Sequence, residues 1–234
     1  MIVYITRHGQ PVQATSAQKE DPEFPLTDRP LSALGREQAR RLGERLQKLG
    51  FTGTIYASPY RRTAETADVI AEVLDTVFYP EVALREIVKV PDSLIDFRGL
   101  TLDGLRRSFP HVAADAVLPY PWWTLAAETS EEVLARVRPF LERLLGETDG
   151  DVLLVGHGAS VGASTRYFLE GYPDVRARLG PGWNCALTAI QVKPRMEPIL
   201  LRDTAHLAEH QVTSNATTRA MWEQTVGAST ARRG

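Results

Sequence analysis

Two of the five histidines, His8 and His157, sit in similar tripeptides, Arg7-His8-Gly9 and Gly156-His157-Gly158. A third polar group, Ser58-Pro59-Tyr60-Arg61-Arg62, opens a helical pattern. Arginine offers planar, bidentate donors suited to phosphate or carboxylate. An imidazole held beside such an anion can exchange protons with it or attack it covalently. Glycine beside each histidine lets a ligand or another backbone come close. Gathered in one place, these groups make an anion site with a candidate nucleophilic histidine, best suited to phosphoryl transfer.

The elements around them supply a reason for gathering. Residues 2–6 are β-branched or aromatic and lead into Arg7 as a buried strand leads into a loop. Residues 54–57 predict a second strand, after which Ser58 is placed to cap a helix with Pro59 as its first residue. Residues 151–155 predict the clearest strand, ending at Gly156, and further strands are expected at 77–79, 186–192 and 199–202. Ala39, Leu42, Leu46 and Leu49 recur at helical spacing after Ser32 and before Gly50. Thr129-Ser130-Glu131-Glu132 fits a capping box for a helix that Pro139 should kink, and another helix runs from Gly158 through Phe168. Strands alternating with helices predict a three-layer α/β/α fold with a mostly parallel central sheet. Reactive groups in such sheets collect beyond the carboxyl ends of the strands. The three constellations should therefore meet on one rim.

Composition narrows the classes. The chain has 234 residues with 27 Lys+Arg against 29 Asp+Glu, a formal charge of −2 that argues against a nucleic-acid binder. That length fits one domain over residues 1–234, with an excursion at about 87–128 crossing its top and a weakly patterned tail after about 211. The excursion is Pro-rich, carries Trp122-Trp123, and holds short helical candidates at 101–109 and 111–117. A single cysteine, Cys185, allows no internal disulfide and no cysteine zinc site, and reads as a small buried residue. No run approaches the ~18–20 apolar residues of a membrane span. The N-terminal apolar run is too short for a signal peptide, so a cytoplasmic protein is expected. Asn215-Ala216-Thr217 would be a glycosylation acceptor only in a secreted chain.

The same residues resemble the histidine phosphatase superfamily, also called the phosphoglycerate-mutase-like family. Arg7-His8-Gly9 is joined in order by four further motifs. Residues 30–39 resemble the family's Pro-Leu-Thr-x-x-Gly-x-x-Gln-Ala, and residues 58–67 its Ser-Pro-x-x-Arg-Ala-x-Gln-Thr-Ala. Leu84-Arg85-Glu86 matches Leu-x-Glu, and Val155-Gly156-His157-Gly158 the second histidine motif. Asn184 and His206-Leu207 are similar to late family positions, so the likeness spans roughly residues 1–207. It implies the family fold and a phosphatase acting on phosphate monoesters without metal or cofactor. His8 would be the nucleophile, forming a phosphohistidine, and Arg7, Arg62 and His157 would bind the phosphoryl oxygens. Glu86 would protonate the leaving oxygen and then take a proton from water. Asp92, Asp96 and Glu128 compete with Glu86 for that role, while Arg61 reads as a surface arginine.

Departures from the pattern bear on the substrate. Pro11 and Ala14 stand where the family often has Ser or Thr and Asn, and residues 88–92 replace a common Gly-x-x-Glu-Gly. With no long mutase-type insertion, these argue against a phosphoglycerate mutase. The excursion is expected to contribute to a lid, with Trp122-Trp123 either facing an organic leaving group or covering the core. The partner is a small phosphorylated substrate, with phosphoproteins left open and neither nucleic acid nor membrane expected.

Two other readings compete. His206-Leu207-Ala208-Glu209-His210 spells the inverted zinc-protease pattern, which needs both histidines on one helix face. A non-catalytic module that docks phosphorylated partners would keep the same pocket without turnover. His111 has no evident partner in the sequence.

Overall fold

The computed structural model describes residues 1–12, 28–89, 98–177 and 179–214. Its centre is a six-stranded sheet. In chain order the elements are β1 (Ile2–Arg7), α1 (Ala33–Lys48), β2 (Thr54–Ala57), α2 (Arg61–Leu74), β3 (Phe78–Pro80), α3 (Leu102–Ser108), α4 (Ser130–Glu147), β4 (Val152–Gly156), α5 (Gly158–Phe168), α6 (Pro173–Ala177), β5 (Leu187–Gln191) and β6 (Glu197–Asp203). The strand order is β3-β2-β4-β1-β5-β6. β1, β2, β3 and β4 run parallel, while β5 lies antiparallel to both β1 and β6. The expected three-layer α/β/α arrangement with a mostly parallel sheet is what forms.

Strand alternation divides the core into two halves. Tyr4, Ile55, Leu153 and Val155 face one side, under α1 and α2, where Leu42, Leu46, Ala67 and Ile70 are fully buried. Val3, Ile5, Val152 and Leu154 face the other, under α4 and α5, with Val137, Leu141 and Phe168. β4 is buried along its whole length, as a central parallel strand must be. Register matters for the site: Arg7 pairs with Gly156 and Ala57 with Val155, so β1, β2 and β4 end level with one another.

Local expectations fare unevenly. Ser32 caps α1 through Gly35 N–H at 3.0 Å, and the Thr129–Glu132 capping box opens α4. Pro139 lies inside α4, which runs unbroken through it. α2 begins later than the Ser58-Pro59 signal predicts, at Arg61, and its N-cap residue Tyr60 makes no side-chain capping bond. Asp28, from the segment ahead of α1, instead accepts from Arg61 N–H at 2.5 Å. Residues 111–117 are not the expected helix. His111 O and Ala113 N–H hydrogen-bond Phe78, so this stretch extends the β3 edge, because a chain returning there can satisfy the open edge groups.

The excursion's described part is therefore partly core. Leu105, Phe109, Val112, Ala113 and Ala116 pack into the α1/α2 half. Trp122 is 3% exposed and donates from Nε1 to Leu100 O at 2.8 Å. Trp122 thus covers the interior, and Gly99 makes room for it, since a Cβ there would lie 1.9 Å from the indole.

Candidate functional site

β1, β2 and β4 deliver their next residues to one rim, and the three constellations meet there as the alternation implied. His8 is 2% exposed and His157 fully buried, with ring centroids 5.3 Å apart. Arg62, on the first turn of α2, places Nε 3.3 Å from His8 Nε2 and Nη2 3.3 Å from Glu86 Oε2. Glu86 Oε2 also lies 3.4 Å from His157 Nδ1, while its Oε1 accepts from Ile87 N–H at 3.0 Å. Arg7 donates from Nη1 to Gly182 O and to Ser214 Oγ, both at 2.9 Å. All five candidates, Arg7, His8, Arg62, Glu86 and His157, thus stand together.

The ring orientation of His8 is set by backbone. Gly9 O lies 2.7 Å from His8 Nδ1, so the ring donates there and leaves Nε2 unprotonated, where it accepts from Arg62 Nε–H. Burial first, then the charges of Arg62 and Arg7, hold His8 well below the usual histidine range, so the ring is neutral near pH 7. The loop after it is pinned in place. Thr66 Oγ1 accepts from Gly9 N–H at 3.0 Å, Gln38 Oε1 from Gln10 N–H at 2.8 Å, and Asn184 Nδ2 donates to His8 O at 2.8 Å. Gly9 and Gly35 are needed for close approach: a Cβ on Gly35 would sit 2.1 Å from Gln10 O, and one on Gly9 2.5 Å from Gly35 O.

His157 is likewise held neutral, by burial first and then by the charges of Arg62 and Arg7. Ser58 Oγ lies 2.9 Å from His157 Nε2, and Tyr60 N–H points at the same hydroxyl at 3.5 Å. A hydroxyl that accepts from Tyr60 can donate to Nε2, which puts the ring proton on Nδ1. That buried Nδ1 has no hydrogen-bond partner and faces Glu86. His157 also forms the N-cap of α5, so the positive end of that helix dipole lies at the rim. The sequence reading gave Ser58 to a helix cap; its hydroxyl serves His157 instead.

Glu128 cannot compete for the acid role in this arrangement. Burial opposes its charge, but Arg85 at 2.5 and 2.8 Å and Arg136 at 2.9 Å overcome that and hold it below the usual carboxylate range. Arg136 also donates to Ala83 O and to Arg85 O, bracing the turn that presents Glu86. Asp92 and Asp96 lie outside the described residues. Arg61, by contrast with Arg62, is only partly buried and its N–H is used by Asp28.

The C-terminal part reaches the site, which the weak patterning after 211 did not suggest. Gln38 Nε2 donates to Gln211 O at 2.6 Å and Thr213 Oγ1 at 2.8 Å. Thr213 O accepts from Asn184 N–H at 2.8 Å, and Ser214 contacts Arg7. The inverted zinc pattern finds no helix: His206 bonds Cys185 O at 3.0 Å, and His210 is exposed in a short 3-10 turn. Among the described residues no group of three His, Cys, Asp or Glu is placed to hold a metal ion. No helix among them is long and apolar enough to cross a membrane. His111 has a partner after all, Asp68 Oδ1 at 3.0 Å.

The model of the histidine phosphatase superfamily, branch 1, matches residues 3–203. A probable phosphoglycerate mutase GpmB of Enterobacter sp. (strain 638) is 32% identical over 197 residues, covering 80% of this chain and 83% of its own. The solved structure of a mycobacterial glucosyl-3-phosphoglycerate phosphatase is similar with TM-score 0.58 and 25% identity, covering 87% of this chain and 99% of its own. The ecdysone phosphate phosphatase of Bombix mori, in complex with tungstate, gives TM-score 0.70 over 94% of this chain and 99% of its own, and at 21% identity speaks to the fold alone. The superfamily includes phosphatases and mutases, and this chain belongs to it.

Proposed function

We propose that the chain is a phosphatase that hydrolyses phosphate monoesters through a phosphohistidine on His8, without a metal ion. The carrying observation is the unprotonated Nε2 of His8, its tautomer fixed by the Nδ1–Gly9 O bond at 2.7 Å and its lone pair accepting from Arg62 Nε at 3.3 Å. His8 Nε2 attacks phosphorus as the bond to the leaving oxygen breaks, and that oxygen takes the proton from Glu86. Water then attacks phosphorus, loses its proton to Glu86 and breaks the N–P bond, releasing phosphate. Arg7, Arg62, the Nδ1–H of His157 and the N-terminus of α5 supply positive charge to the phosphoryl oxygens throughout, the task a divalent cation performs elsewhere. In the free site Glu86 Oε2 faces two of those donors, Arg62 Nη2 and His157 Nδ1, and yields them to the substrate.

The test is an alkali-quenched incubation with a 32P-labelled aryl phosphate, since N-linked phosphate survives base. Label on His8, and loss of turnover on the order of 10⁴-fold or more in His8→Ala, are expected. Near-normal activity in His8→Ala would sink the covalent route. Phosphate binding without turnover by the wild-type chain would favour the docking module.

A second reading comes from the relatives' name, probable phosphoglycerate mutase. It is separated by product: release of inorganic phosphate from 3-phosphoglycerate supports hydrolysis, and conversion to 2-phosphoglycerate supports the mutase. Action on phosphoproteins is read by adding phosphotyrosine peptides to the substrate panel.

A further inference from the structure

Glu86 is presented by a stretch that neither sheet nor helix holds. After the 3-10 turn Val82–Leu84, residues 85–89 belong to no regular element, with Leu84 and Val88 buried on either side of Glu86. What fixes the stretch comes from the entry and second turn of α4. Arg136 donates from Nη1 to Ala83 O and from Nη2 to Arg85 O, and Glu128 N–H donates to Val88 O at 2.7 Å. Backbone carbonyls before and after Glu86 are therefore held by Arg136 and Glu128.

Glu128 also joins that helix to the stretch through side chains. Its carboxylate accepts from Arg85 Nη1 and Nη2 at 2.5 and 2.8 Å, and from Arg136 Nε at 2.9 Å. Only 10% of Glu128, 13% of Arg85 and 16% of Arg136 is exposed, so water cannot readily replace a lost partner. Two guanidiniums against one carboxylate leave the cluster with a surplus positive charge, directly behind Glu86. Arg85 Nη1 lies 3.5 Å from Glu86 O, and Arg136 interacts electrostatically with Glu86 as well as with Glu128. Glu86 thus stands between two sets of donors, Arg62 and His157 in front and the Arg85–Arg136 pair behind. Removing one partner of a buried ion pair leaves the other uncompensated and in need of a substitute.

We propose that Glu128 is a positioning residue for the proton step: it occupies Arg85 and Arg136, so that Glu86 Oε2 stays beside Arg62 Nη2 and His157 Nδ1. The proposal deepens the phosphatase reading and rests on Glu86 as its acid. It also ties the excursion to the chemistry, because Glu128, where the excursion returns, closes against Val88, where it leaves.

The experiment compares Glu128→Gln with the wild-type chain on 4-nitrophenyl phosphate and propyl phosphate, in the native and the Glu86→Gln backgrounds. A misplaced acid slows a poor leaving group and spares a good one. Glu128→Gln should lower kcat roughly tenfold or more for propyl phosphate and less than about threefold for the aryl ester, with Glu128→Asp falling between it and the wild type. In the Glu86→Gln background the same change should cost propyl phosphate little more, since the acid it serves is gone. A parallel loss for both esters, no loss, or fully additive losses overturn the proposal. Should Glu128→Gln fail to fold, Glu128→Asp decides by the same split between esters. If Glu86→Gln itself slows both esters equally, Glu86 is not the acid and the proposal falls with it. Absence of turnover by the wild-type chain counts against the phosphatase reading instead, and crystal structures then decide Glu128. Displacement of Glu86 Oε2 from Arg62 and His157 by about 1 Å or more in Glu128→Gln supports the positioning role, and an unmoved carboxylate overturns it.

Discussion

Glu86 and Ser58 show how much the site depends on single atoms. Glu86 Oε2 sits 3.3 Å from Arg62 Nη2 and 3.4 Å from His157 Nδ1, close enough to reach a leaving oxygen bound between them. Glu86→Gln should slow alkyl phosphates on the order of 10²-fold or more and aryl phosphates far less, because a good leaving group needs no proton. Steady-state kinetics with both ester types checks this, and equal losses would move the acid elsewhere. Ser58→Ala removes the hydroxyl that fixes the His157 tautomer, and one such hydrogen bond is worth roughly tenfold in kcat/KM. Ser58→Thr should recover most of it, which a mere loss of packing would not. That Arg7, His8, Arg62 and His157 meet at one rim was legible because apolar runs announce strand ends, whereas Glu86 was singled out only by the family resemblance. Ser58 was visible but misassigned: Ser-Pro is a generic helix-start signal, and no local pattern records a hydrogen bond to a residue on a different strand.

At the scale of elements, the loop that leaves His8 is not held by β1 alone. It is clamped by the N-terminus of α1, where Gly35 touches Gln10, and by α2, where Thr66 holds Gly9. Gly35→Ala should push the loop off His8's working position and cost about 1–3 kcal/mol of stability, as overpacking does. Chemical denaturation alongside kinetics tests it, and a stable variant with undiminished activity would contradict the clamp. The helices themselves were readable from apolar spacing. Residues 111–117 misled because their apolar content fits a short helix as well as an edge of the sheet, and periodicity over so few residues cannot separate them. The tail after 211 carries no pattern because its contacts, from Gln38, Asn184 and Arg7, satisfy backbone and hydroxyl groups rather than bury apolar side chains.

For the molecule as a whole, two neutral, fully desolvated histidines tie stability to pH. Both His8 and His157 lie below the free value, so between about pH 6.5 and their lower native values the unfolded chain binds protons that the native chain refuses. Stability is undiminished above that window and falls as pH drops through it, by up to about 1.4 kcal/mol per pH unit for each histidine. Urea unfolding at pH 7.5, 6.5 and 5.5 reads the trend, and His157→Gln should flatten it. A midpoint that rises on acidification would contradict neutral native histidines.

The placement of β1 has a consequence in time rather than in space. This first strand is internal to the sheet, and both its neighbours come late: Val3 pairs with Val152 on one side and with Ile190 on the other. A nucleus built on β1 must therefore close very long loops before any contact rewards it, which makes for high contact order and slow folding. While the first half of the chain is alone it has β2 and β3 to pair, but nowhere to put residues 2–7. The apolar strand that carries the proposed nucleophile, His8, is thus among the last to find its partners, and any activity should return only with the final phase of refolding.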